Sequence, residues 1–174
     1  RTMVKFRWSR QLGEECRPDL MQTPTVSGWA WAGASVTGES HLRNGETGQD
    51  SGSFHTYTSK TDDVAVAVVC DGAGSAPHSK LGSQLVAIKA QRIVAAFLAS
   101  GGDLARLGRA GAAGFIAELH SALARKAAEH GCKVRDLATT MTLAIVAEEI
   151  AVVIQVGDSA CAVRCNGEWQ IPIW

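Results

Sequence analysis

Val66-Ala67-Val68-Val69-Cys70-Asp71-Gly72-Ala73-Gly74-Ser75 decides how this chain is read. Its β-branched, apolar first half is the signature of a buried strand. The run stops abruptly at an acid followed by glycines. A carboxylate at a strand end is held by the sheet, and glycine lets backbone carbonyls and a ligand come close. Oxygen atoms on a rigid platform suit a hard cation. Outward from this stretch, two further acids stand in similar settings: Asp50 in Gly48-Gln49-Asp50-Ser51-Gly52 and Asp158 in Val156-Gly157-Asp158-Ser159. Each alone is also a turn signal. Together they predict an acidic metal site at the edge of a sheet.

On the N-terminal side, residues 1–22 show no clear period and are punctuated by Pro18, with Pro24 just beyond. Trp29-Ala30-Trp31-Ala32-Gly33-Ala34-Ser35-Val36 alternates large and small residues and reads as the first strand. Residues 54–57 and 64–69 read as the next two, joined by a polar turn at 59–63. On the C-terminal side, Val86, Ala90, Ile93, Val94 and Phe97 share one helical face, and Gly101-Gly102 closes that helix. Residues 104–114 read as a glycine-rich linking turn or short helix before a second long helix carrying Phe115, Leu119, Ala122 and Leu123. Two helices so connected should lie antiparallel. Leu137, Thr139, Met141, Leu143 and Ile145 alternate as a strand, as do Ile150, Val152, Ile154 and Val156. Asn166-Gly167 signals a hairpin joining residues 162–165 to 168–173. The order of elements is that of an α+β protein, helices packed on a sheet face.

The chain's 174 residues suffice for one domain with a real core. Lys plus Arg and Asp plus Glu both number 17, so the formal charge is zero and the broad basic face of a nucleic-acid binder is missing. No apolar stretch reads as a membrane span. The cysteines, Cys16, Cys70, Cys132, Cys161 and Cys165, are odd in number and lack a repeated Cys-x-x-Cys spacing. They read as reduced thiols of a cytoplasmic protein, small hydrophobes more than disulfide partners or zinc ligands.

In order, Gly38-x-Ser40-His41, Gln49-Asp50, Cys70-Asp71-Gly72-Ala73-Gly74-Ser75, Leu137-Ala138-Thr139-Thr140 and Gly157-Asp158-Ser159 resemble the metal-dependent type 2C (PPM) serine/threonine protein phosphatases, in the variant of a bacterial subgroup. The resemblance runs from residue 34 to 169. It implies a four-layer α-β-β-α sandwich, of which residues 25–174 would be the N-terminal portion and residues 1–24 an N-terminal extension. It also implies two Mn²⁺ or Mg²⁺ ions at one end, with room for a third, and a water they activate that attacks the phosphorus of phosphoserine or phosphothreonine. Such ions need no protein nucleophile beside them.

Carried onto this chain, the resemblance makes Asp71 the bridge between metals, Gly72 a carbonyl ligand and Asp50 a contributor to the same site. Asp158 matches the position of a third, weaker metal, and reads equally as a turn anchor. His41 and Arg43 are the candidates for gripping the substrate phosphate. Many relatives have Glu-Asp where Gln49-Asp50 stands, and some have a histidine acid where Ala73 stands. The family's later carboxylate motifs do not occur before Trp174, so the chain is expected to be truncated, with a C-terminal complement of the same domain as a possible partner. The other implied partners are a phosphoprotein substrate and a cognate Ser/Thr kinase or its target, with no nucleic acid and no membrane. The alternative is a non-catalytic module of the same fold that binds a phosphoprotein. His55, His78, His120 and His130 read as solvated, Thr139 and Thr140 as ordinary strand residues with one of them facing the cleft, and Trp29, Trp31 and Trp169 as core.

Overall fold

Extended pairing begins earlier than the hydrophobic pattern suggests. A computed structural model describes residues 5–10, 29–34, 43, 48–58, 63–165 and 168–171. Strand β1 (Lys5–Arg10) pairs antiparallel with β2 (Trp29–Ala34), Trp8 standing opposite Trp31. The N-terminal stretch read as aperiodic therefore contains a strand, one specified by its partner and not by its own alternation.

The central sheet follows from the apolar runs. β3 (Ser51–Thr58), β4 (Asp63–Cys70), β5 (Met141–Val146) and β6 (Ala151–Val156) form one antiparallel sheet in that spatial order. Val64, Val66, Val68 and Cys70 alternate along β4 and join Met141, Leu143 and Ile145 in the main core. Ala65, Ala67, Thr142 and Ala144 are buried as well. Burial on both faces explains why β4 and β5 read as continuous apolar runs.

One layer of helices covers the sheet. α1 (Ser79–Ala99) lies on β3 and β4 and places Val86, Ala90, Ile93 and Val94 in the core. α2 (Arg109–Glu129) packs on α1, with Phe97 meeting Phe115 edge to face at 5.7 Å and Lys89 reaching Glu118 at 2.6 Å. Gly101 (φ +79) and Gly131 (φ +63) terminate the two helices in the left-handed region that glycine favours. By length and hydropathy α1 also meets the requirement for a membrane span, contrary to the sequence reading, but Val86, Ala90, Ile93 and Val94 are committed to this core while Ile88 is exposed. Of the four layers the resemblance implies, the described residues build the central four-stranded sheet and its helix layer, beside two separate two-stranded sheets.

Three further expectations are corrected. α2 starts at Arg109, not near Phe115, because Gly111 and Gly114 are carried by the alanines around them. Residues Val134–Leu137 form a 3-10 turn, so β5 begins at Met141 and not at Leu137. Strands β7 (Val163–Cys165) and β8 (Glu168–Gln170) do pair as a hairpin, its Asn166-Gly167 turn lying outside the described residues. Trp169 on β8 is 71% exposed and not core, since the hairpin is a two-stranded sheet of its own.

Candidate metal centre

The register brings four chain segments to one end of the sheet. Ser51 opens β3 opposite Cys70, which closes β4, and Met141 opens β5 opposite Val156, which closes β6. Gln49-Asp50, Asp71-Gly72, Thr139-Thr140 and Gly157-Asp158-Ser159 therefore emerge side by side. The three carboxylates singled out in the sequence leave this end of the sheet from separate loops, Asp50 within hydrogen-bond reach of Asp71 and Asp158 acting on it through charge.

Asp71 is fixed through its backbone. Its N–H donates to Thr140 Oγ1 at 3.0 Å, and its carbonyl accepts from the Thr140 N–H at 2.8 Å and from Thr139 Oγ1 at 2.9 Å. Gly72 continues the contact as a bridge to Thr139, and the Ala73 N–H donates to the Ala138 carbonyl at 3.0 Å. Thr139 and Thr140 thus both brace Asp71, beyond their reading as strand residues of which one faces the cleft. The Leu137-Ala138-Thr139-Thr140 motif marked the segment, but their partners, far away in sequence, could not be read from it.

Asp50 is held from the other side by α1. Fully buried Ser83 donates to the Gln49 carbonyl at 2.5 Å and lies 3.1 Å from Ser51 Oγ. One helical stretch further, buried Gln91 donates to the Ser53 carbonyl at 3.1 Å and the Val66 carbonyl at 3.2 Å, tying β3 to β4. Both were passed over in the sequence. Two polar residues among the apolar positions of α1 were the available signal. Gly72 completes the arrangement: a Cβ there would lie 2.6 Å from the Gln49 carbonyl oxygen, so only glycine lets the Asp50 segment sit this close to Asp71.

Electrostatics show that the carboxylates feel one another. The Asp71 carboxyl is pushed above the usual range, chiefly by burial among these loops, then by a hydrogen bond with Asp50 and by the charges of Asp50 and Asp158. Asp71 nevertheless keeps an exposed side, so solvent moderates the effect. Burial alone pushes the neighbouring Cys70 thiol up to about 12, which leaves it an inert core group. Like charges gathered this way need either a proton or a cation between them. Their oxygen donors are the ligand type that Mg²⁺ and Mn²⁺ take.

The residues therefore fit a divalent cation as part of a site. Among the described residues no three or more His, Cys, Asp and Glu are grouped so that they could hold a metal ion by themselves. Asp50, Asp71 and the Gly72 carbonyl could supply part of a donor set, with Asp158 acting on Asp71 through its charge. Arg43 is helical and exposed, and His41 lies outside the described residues. His55, His78, His120 and His130 are exposed.

Comparison with known proteins adds one match: residues 37–174 fit the family model for protein phosphatase 2C. No individual curated protein matches the chain. The matched span takes in every carboxylate of the sheet-end cluster, and it covers well over half of the sequence. The chain belongs to the protein phosphatase 2C family.

Proposed function

We propose that the protein is a Mn²⁺- or Mg²⁺-dependent phosphoprotein phosphatase acting on phosphoserine and phosphothreonine in the cytoplasm. The observation that carries this reading is the convergence of Asp50, Asp71 and Asp158 at one sheet end, with Asp71 strained toward its protonated form. Bound there, a divalent ion would lower the pKa of a water and neutralise phosphoryl oxygens. Asp71 and Asp50 supply anionic oxygens for it, and the Gly72 carbonyl supplies a neutral one. Thr139 and Thr140 hold the Asp71 backbone in place, while Ser83 holds the Asp50 segment. Arg43 and His41 are assigned to the substrate phosphate. Ala73 carries no proton to give, so water protonates the leaving alkoxide.

The test is phosphate release from a phosphothreonine peptide, with and without Mn²⁺ and after chelation. Release that requires Mn²⁺ and disappears in Asp71→Ala is the expected result. Release indifferent to chelation would sink the reading. The partial donor set, with Gln49 in place of a carboxylate, favours one second reading: a module that binds a phosphoprotein without turning it over. Peptide binding that saturates with no phosphate release would establish it.

A further inference from the structure

The Thr140 side chain contacts both the Asp71 segment and the Asp158 segment. Its Oγ1 accepts from the Asp71 N–H at 3.0 Å and lies 3.1 Å from Ser159 Oγ. A threonine hydroxyl has one proton and two lone pairs, so it can accept from Asp71 and donate to Ser159 at once. Its methyl is used as well. Gly157 sits at φ +98, and a Cβ there would come within 2.7 Å of Thr140 Cγ2. The residue before Asp158 thus packs on the methyl, and the residue after it is bound by the hydroxyl. Asp158 is pinned between them.

From this geometry we infer that Thr140 is a positioning residue that sets the separation of Asp158 from Asp71 and so tunes cation binding at the Asp158 side of the centre. The inference rests on the reading of these carboxylates as cation ligands. The Asp71 carbonyl keeps its bonds from the Thr140 N–H and from Thr139 Oγ1 whatever the Thr140 side chain, so Asp71 itself stays largely placed. The Asp158 loop has no such second tie to Asp71 among the described hydrogen bonds. Loss of the hydroxyl should therefore be felt at Asp158 first.

Mn²⁺ titration followed by the electron paramagnetic resonance of the free ion tests this without recourse to activity. The proteins compared are the parent, Asp71→Asn, Asp158→Asn, Thr140→Val, Thr140→Ser and Ser159→Ala. Thr140→Val keeps the shape and loses the hydroxyl, whereas Thr140→Ser keeps the hydroxyl and loses the methyl. The expected outcome is a loss of about tenfold or more in the Asp158-dependent affinity for Thr140→Val and Ser159→Ala, with Thr140→Ser within about twofold of the parent. Parent-like binding by Thr140→Val would overturn the inference, as would binding by Thr140→Ser as weak as by Thr140→Val. No effect of Asp158→Asn would overturn it too. Should Thr140→Val fail to fold, Ser159→Ala decides, since it leaves every Asp71 bond in place. Undiminished Mn²⁺ binding by Asp71→Asn would instead remove the functional reading beneath.

Discussion

A methyl group added at Gly72 would meet the Gln49 carbonyl oxygen at 2.6 Å and Gln49 Cβ at 3.1 Å. Backbone cannot yield as a side-chain tip can, so Gly72→Ala should drive the Asp50 segment away from Asp71. The expected cost is about 1–3 kcal/mol of stability, with Mn²⁺ affinity falling alongside, as urea unfolding and metal titration would read. Asp71 itself makes a prediction of opposite sign. Its folded pKa is raised above the ordinary value of 3.8, so the fold binds that proton more tightly than the unfolded chain does. The associated stability is full at acid pH and is lost as pH rises through the folded pKa. Without metal at neutral pH, Asp71→Asn should therefore melt higher than the parent, by about 2–4 °C or less given solvent screening. The gap should close toward pH 4. A variant that melts lower at every pH would show that the carboxylate is not strained.

Between elements, the site depends on α1 as much as on the sheet. Ser83→Ala strips the half-buried Gln49 carbonyl of the hydrogen bond from buried Ser83 and should cost about 1–2 kcal/mol while weakening Mn²⁺ binding. Ser121→Ala on exposed α2 surface, which loses only a bond to the Ala117 carbonyl, is the control and should stay within about 0.5 kcal/mol of the parent. What could be read from sequence divides along the same line. β4 and the body of α1 were legible because burial imposes a pattern that hydrophobicity reports directly. The start of α2 was not, since Gly111 and Gly114 mimic a link where neighbouring alanines sustain a helix. Leu137 and Thr139 alternate like strand residues, yet Leu137 is buried at the end of a 3-10 turn. Asp50, Asp71 and Asp158 were legible as acids at strand ends. Ser83, Thr139 and Thr140 became visible as their supports only once the register placed partners distant in sequence side by side.

Taken whole, the molecule gathers negative charge at one end of a sheet whose chain has no net charge. A cation bound there should relieve the repulsion that raises the Asp71 pKa. Any ion bound only by the folded form adds to its stability, by about 2.7 kcal/mol at a hundred times its dissociation constant. Metal binding, thermal stability and phosphatase activity should therefore respond together to changes at Asp71. The most direct test is Mn²⁺ titration of the parent and of Asp71→Asn, each shown beforehand to melt cooperatively. The account predicts saturable binding that raises the parent's melting temperature, with both the binding and the rise abolished by the substitution. Equal binding by the two proteins, or no binding by the folded parent, would contradict it.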